Sequence, residues 1–133
     1  MKEELLSVFP TPILITKYGD DLSKELKYVD NLLYKEQKEN ANFKSTDSYL
    51  LEIEELKNIK NFFYESLNKY TKHVSLSDQR LVITQCWANK NPPGSKHHEH
   101  LHSNSILSGV FYLKQDKTMP PIQFAKSEQG SMK

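Results

Sequence analysis

The sequence is short of the residues that staple, steer or anchor a chain. It has one cysteine, Cys86, so it can form no internal disulfide and no cysteine-based zinc ribbon. Cys86 lies between Gln85 and Trp87 in a strand-like run, which suits a buried thiol better than a nucleophile. Arginine is equally scarce, with Arg80 alone. The formal net charge is only +1, which argues against a non-specific nucleic-acid partner, since that needs a basic excess or stripe. Long apolar runs are missing too: no stretch approaches the ~18–20 residues of a membrane span. The opening Met1-Lys2-Glu3-Glu4 lacks a signal-peptide pattern. No membrane partner is expected, and the cytoplasm is the expected location.

The 133 residues suit a single domain, 1–133. Ser7-Val8-Phe9-Pro10-Thr11-Pro12 leads into Ile13-Leu14-Ile15-Thr16, which suits a strand entry or edge, where the missing proline N–H groups cost nothing. Leu22, Leu26, Val29 and Leu33 recur at helical spacing behind Asp20-Asp21 and predict a helix over about 21–38. The polar stretch 38–48 reads as loop. Leu56, Ile59, Phe63, Leu67 and Tyr70 predict a second amphipathic helix over roughly 52–72.

The pattern changes after Ser77. Arg80 to Trp87 is a strand run, Asn91-Pro92-Pro93-Gly94 is turn chemistry, and Ser105 to Leu113 is a second run rich in β-branched and aromatic residues. Ile122-Gln123-Phe124 follows Pro120-Pro121 as a short strand. Helices ahead of antiparallel strands predict an α+β fold. The parts are a strand with two helices (1–76), a strand region (77–125) and a polar tail (126–133).

Four of the five histidines lie in six residues, within His97-His98-Glu99-His100-Leu101-His102. In an extended chain alternate residues share a face, so His98, His100 and His102 can project together. Imidazole suits iron, zinc, copper and nickel alike, so spacing does not choose the metal. A solvated His-rich loop and a local zinc or nickel site are both compatible with the composition.

The surroundings carry a resemblance. A strand ending Trp87-Ala88-Asn89 and a glycine turn precede the block, and Ser108-Gly109-Val110-Phe111-Tyr112 follows it. This resembles the small iron(II)/2-oxoglutarate-dependent oxygenases of phages and bacteria, whose opening Leu6 to Ile13 also resembles. The likeness runs over about 6–124. The spacing of Gly94, His97, His100 and His102 is similar to the broader prolyl-hydroxylase-like superfamily. The resemblance implies an incomplete double-stranded β-helix (jelly-roll) over 77–125, with the two helices packed on the sheet. It implies His100 and His102 as metal ligands and Tyr112 and Asn89 as 2-oxoglutarate-binding residues. The implied cofactors are Fe(II) and 2-oxoglutarate, and the implied activity is hydroxylation of a C–H bond on a substrate the sequence does not identify. A phage-encoded chain would act in the host cytoplasm.

The resemblance also marks departures. The family's second ligand is Asp or Glu, and here it is His102. The family supplies a distal His and then an Arg from late strands, yet no His follows His102 and no Arg follows Arg80. Lys114, Lys117, Lys126 and Lys133 are the cations that remain. Three explanations stand side by side: a truncated or split product completed by another chain, a relative without turnover, or a site finished by His97, His98 or a second subunit. The alternative function is a non-catalytic jelly-roll module that binds metal or a partner.

Overall fold

Leu56, Ile59, Phe63, Leu67 and Tyr70 lie on one face of a helix and are buried or half-buried, as their spacing predicts. The computed structural model describes residues 11–76, 80–115 and 118–125. The opening motif before Thr11 and the tail 126–133 lie outside the described residues. The chain divides into two compact units, one of residues 1–21 with 47–87, the other of 22–46 with 88–133.

The first unit is built on helix α2, Lys57–His73. Two short 3-10 turns, Leu50–Glu52 and Glu54–Leu56, precede it. The predicted start near 52 is therefore helical in a tighter form, and the α-helix proper begins five residues later. The helix stops in a Schellman-type turn. Ser75 takes a positive φ of 57°, and the Leu76 N–H reaches back to the Thr71 carbonyl at 2.8 Å. Lys72 and His73 in the last turn suit the negative end of the helix dipole. Among the described residues Leu50, Leu51, Leu56 and Ile59 are the buried apolar ones, each burial stabilising by roughly 1.5–3 kcal/mol before entropy is counted.

Residues 11–18 run along α2 as an extended segment, not as a paired strand. Its contacts climb the helix at four-residue steps: the Tyr70 hydroxyl donates to the Pro12 carbonyl at 3.2 Å, the Thr16 and Ser66 hydroxyls meet at 3.0 Å, and Tyr18 stands edge-on to Phe62. Residues 80–87 are extended as well, with Leu81 and Ile83 half-buried and Val82 and Thr84 exposed. The predicted alternation is there, but only Cys86 bridges to a neighbour, Tyr49, through Cys86 N–H to Ser48 O at 2.8 Å and Leu50 N–H to Cys86 O at 3.1 Å.

The second unit holds helix α1, Ser23–Asp30, and an antiparallel sheet of β1 (Tyr34–Gln37), β2 (Asn42–Ser45) and β3 (Asn89–Lys90) in that order. The helix predicted over 21–38 thus ends at Asp30. The Asn31 side-chain amide donates to the Lys27 carbonyl at 2.7 Å, which satisfies the exposed helix end. Leu33, the last residue of the predicted stripe, is 78% exposed. Both β1 and β2 lie in segments whose residues predict helix or loop. They form because the turn between them aligns Gln37 with Asn42 and Tyr34 with Ser45. The Tyr34 hydroxyl donates to the Val29 carbonyl at 2.8 Å. Burial, and then the Asp30 carboxylate, push that phenol's pKa up and keep the proton in place.

The architecture is therefore mixed helix and sheet, with an open three-stranded antiparallel sheet and two helices. The runs 105–113 and 122–124 are not in strands. Within 105–113 the odd residues Leu107, Phe111 and Leu113 are half-buried, whereas Ile106, Val110 and Tyr112 are exposed. The period of two is that of a strand, but β-propensity supplies no neighbour to accept and donate the ladder bonds. No helix among the described residues is long and apolar enough to cross a membrane.

Candidate functional site

The histidine block follows β3 (Asn89–Lys90) after the turn that spans residues 91–96. Asn89 is in β3, exposed and opposite Lys44 of β2. Pro92, Pro93 and Gly94 then turn the chain, with the Ser95 N–H and hydroxyl both donating to the Pro92 carbonyl, at 3.0 and 2.6 Å. Gly94 has a φ of +88°, and nothing lies within 4 Å of where a Cβ would stand. A side chain would fit, but the backbone conformation would resist it. Gly94→Ala is expected to lower stability by about 1 kcal/mol through that dihedral alone, measured as a shift in the urea midpoint at constant slope. An unchanged midpoint would show that the turn relaxes freely.

From Ser95 to His98 the chain is tied to the turn between β1 and β2. The Ser95 hydroxyl, whose one proton is shared with the Pro92 carbonyl, lies 3.0 Å from the Ala41 carbonyl, and the Lys96 N–H donates to the Asn40 carbonyl at 2.8 Å. His97 Nε2 lies 2.9 Å from Asn91 Oδ1, and His98 Nδ1 lies 3.1 Å from Asn40 Oδ1. Amide oxygens only accept, so each of these ring nitrogens donates.

Beyond His98 the imidazoles stand in a row. The His98 and His100 ring centroids are 5.6 Å apart, and those of His100 and His102 are 5.0 Å apart, edge to face. Two imidazoles on neighbouring positions of one metal, with metal–nitrogen bonds of ~2.0–2.1 Å, place their centroids roughly 4.5–5 Å apart. The His100–His102 pair fits that spacing as it stands. His100 Nδ1 is 2.8 Å from the His98 carbonyl, an acceptor only, so Nδ1 carries a proton, and in the neutral tautomer this selects, Nε2 holds the lone pair. A ring held at one nitrogen by a backbone carbonyl is the arrangement in which the other nitrogen ligates a metal.

Among the described residues no three His, Cys, Asp or Glu side chains are grouped as a metal would need. Glu99 alternates with the ring-bearing positions in sequence and is exposed. All four clustered histidines are exposed. After His102 the chain turns sharply at Asn104, whose φ is +64°, with the Ser105 N–H on the His102 carbonyl at 3.3 Å. Tyr112 follows in the unpaired extended run and is 43% exposed. Cys86 is half-buried, and burial pushes its thiol pKa up, away from the thiolate that a nucleophile needs.

Sequence reasoning missed the part played by Asn40 and Asn42. Asn42 is only 1% exposed, yet it carries no apolar signal. The one hint available was an Asn-rich turn, Glu39-Asn40-Ala41-Asn42, inside a segment that reads as loop.

Residues 85–133 match the protein-family model described as "Putative 2OG-Fe(II) oxygenase". This part of the chain is similar to 2-oxoglutarate/iron oxygenases. The match covers 49 of 133 residues, counted from 85 through 133, and contains Asn89, His100, His102 and Tyr112. At the level of the family it implies Fe(II) and 2-oxoglutarate as cofactors. No curated protein and no solved structure matches the chain.

Proposed function

We propose that the chain contributes the first metal-binding strand of an iron(II)/2-oxoglutarate-dependent hydroxylase, with His100 and His102 as two neighbouring metal ligands. The observation that carries this reading is the His100–His102 pair itself. Its rings are 5.0 Å apart, and His100 Nε2 is left with its lone pair, inside the segment that matches the oxygenase family. Bound Fe(II) would supply oxidation of a C–H bond coupled to decarboxylation of 2-oxoglutarate to succinate. The chain's own residues would hold and orient the metal. Tyr112 and Asn89 would contact 2-oxoglutarate once the run 105–113 is paired as a strand beside the histidines.

In this reading the extended runs 80–87 and 105–113 belong to a jelly-roll of the type found in small phage and bacterial oxygenases. The exposed side chains of Ile106, Val110 and Tyr112 are those that a completed barrel would cover. The missing ligand and the cation for the far carboxylate of 2-oxoglutarate would come from a complementing chain or a second copy, in the cytoplasm. The prime substrate is left open.

Linkage tests the proposal. Co(II), an air-stable stand-in for Fe(II), is titrated into the chain by calorimetry with and without 2-oxoglutarate. A chelating co-substrate that joins the metal raises the apparent Co(II) affinity several-fold, because the two bind in one complex. Loss of that gain in His100→Ala, His102→Ala is expected. Tight metal binding that 2-oxoglutarate does not alter would favour the second reading, a non-catalytic metal-binding module, for which the exposed row of imidazoles also speaks.

A further inference from the structure

We infer that the turn between β1 and β2 is a clasp that positions the metal-ligand histidines, with Asn42 and Asn40 as its positioning residues. The inference rests on the proposed role of His100 and His102 as ligands, and it concerns groups that touch neither metal nor substrate.

The clasp has a buried end and an exposed end. Asn42 Nδ2 donates to Asn91 Oδ1 at 3.1 Å, the same oxygen that accepts the His97 Nε2–H at 2.9 Å. With that ring nitrogen protonated, the 3.2 Å approach of Asn42 Nδ2 to it is a packing contact between two donors that share one acceptor. Asn42 Oδ1 is buried with no hydrogen-bond partner among the described residues. Burying an unmatched amide oxygen is unfavourable, so Asn42 is a poor choice for filling that space. Its amide N–H, which fixes Asn91 and through it His97, is what the site gains.

The exposed end continues the same path. Asn40 accepts from the Lys96 N–H with its backbone and from His98 Nδ1 with its side chain. The His98 carbonyl then accepts from His100 Nδ1. Each link removes a freedom from the next: the sheet turn fixes residues 96–98, and residue 98 fixes the tautomer and the direction of the His100 ring. Asn40 thus acts on the ligand through two hydrogen bonds, and Asn42 acts by holding the root of the segment in register. Groups that orient a metal ligand in this way typically change metal affinity by about tenfold when removed.

The variants are Asn40→Ala, which removes only a side chain at the turn and leaves the Asn40 carbonyl in place, and Asn42→Ala as the stronger change at the buried end. Two readouts are taken on the full chain. The first is the 15N long-range spectrum of the imidazoles without metal, which reports which ring nitrogen carries the proton. The parent is expected to hold His100 as the Nδ1–H form, and Asn40→Ala to show a mixture of tautomers at an unchanged melting temperature. The second is Co(II) titration, where Asn40→Ala is expected to bind about tenfold more weakly than the parent.

The two readouts separate the failures. If the parent binds no more Co(II) than His100→Ala, His102→Ala, the ligand assignment falls. In that case the positioning inference still stands or falls on the spectrum: a locked tautomer in the parent that is released in Asn40→Ala supports it. A His100 tautomer that is mixed in the parent, or identical in both chains, overturns it. Where the parent does bind Co(II) through His100 and His102, parent-like affinity in Asn40→Ala and in folded Asn42→Ala overturns it as well.

Discussion

Replacing both His100 and His102 by alanine is expected to weaken Co(II) or Ni(II) binding by on the order of 100-fold or more, beyond the 10–100-fold typical of removing only the groups that orient a ligand. The magnitude follows from chelation. Two imidazoles already 5.0 Å apart bind one ion with little further loss of freedom, whereas a lone ring must recruit each further ligand from solvent or from a mobile neighbour. His98 is the nearest replacement, with its ring 5.6 Å from that of His100. Once His100 is removed, His98 stands alone on Asn40. The measurement is a calorimetric titration of parent, double variant and His98→Ala. The double variant should lose binding, and His98→Ala, which breaks the same hydrogen bond as Asn40→Ala, should weaken it by only about tenfold. Parent-like affinity in the double variant would move the metal to His97 and His98 and sink the ligand assignment.

The residues that made the fold legible were those whose burial follows a period. Helix α2 could be read from Leu56, Ile59, Phe63, Leu67 and Tyr70, since a helix that buries one face must repeat its apolar positions at that spacing. The alternation in 81–84 and in 106–113 was legible for the same reason, because an extended chain turns successive side chains to opposite sides. The sequence could not say whether each extended run has a partner. A ladder belongs to two segments, and Val82 or Val110 carries no mark of what lies beside it. The sheet that does form, Tyr34–Gln37 with Asn42–Ser45, is polar and short, and a turn holds it in place of a hydrophobic face. Periodicity is blind to such a hairpin.

The candidate site divides in the same way. The shared side of His98, His100 and His102 followed from their spacing, and their ring contacts agree with it. The different duties of the four histidines did not follow. His97 and His98 are bonded to Asn91 and Asn40, so they bear on the sheet turn, and His100 and His102 are carried beyond it. Which histidines are tied by their side chains to Asn40 and Asn91 depends on residues 40–42, about sixty positions earlier in the chain. Local composition cannot report a contact of that range.

With Fe(II), ascorbate and air, this polypeptide by itself is expected to form succinate from 2-oxoglutarate no faster than its His100→Ala, His102→Ala variant. Three physical shortfalls lead to that result. An imidazole ligand brings no charge, and with His102 where the resembling enzymes have a carboxylate, a metal held there would keep one more positive charge and have one less anionic donor. The described residues bring no third His, Cys, Asp or Glu to the pair, so water would fill the remaining positions. No arginine follows Arg80, which leaves the far carboxylate of 2-oxoglutarate without a bidentate partner. Lys114 is exposed two residues beyond Tyr112 and could offer only a point charge on a flexible stem. Weak metal binding, as the preceding titrations would record, is compatible with all three shortfalls, whereas turnover needs each of them repaired at once. Sustained succinate production that the double variant abolishes would overturn the expectation. It would require that the 133 residues, alone or as a homo-oligomer, bring a further ligand and a cation to His100 and His102.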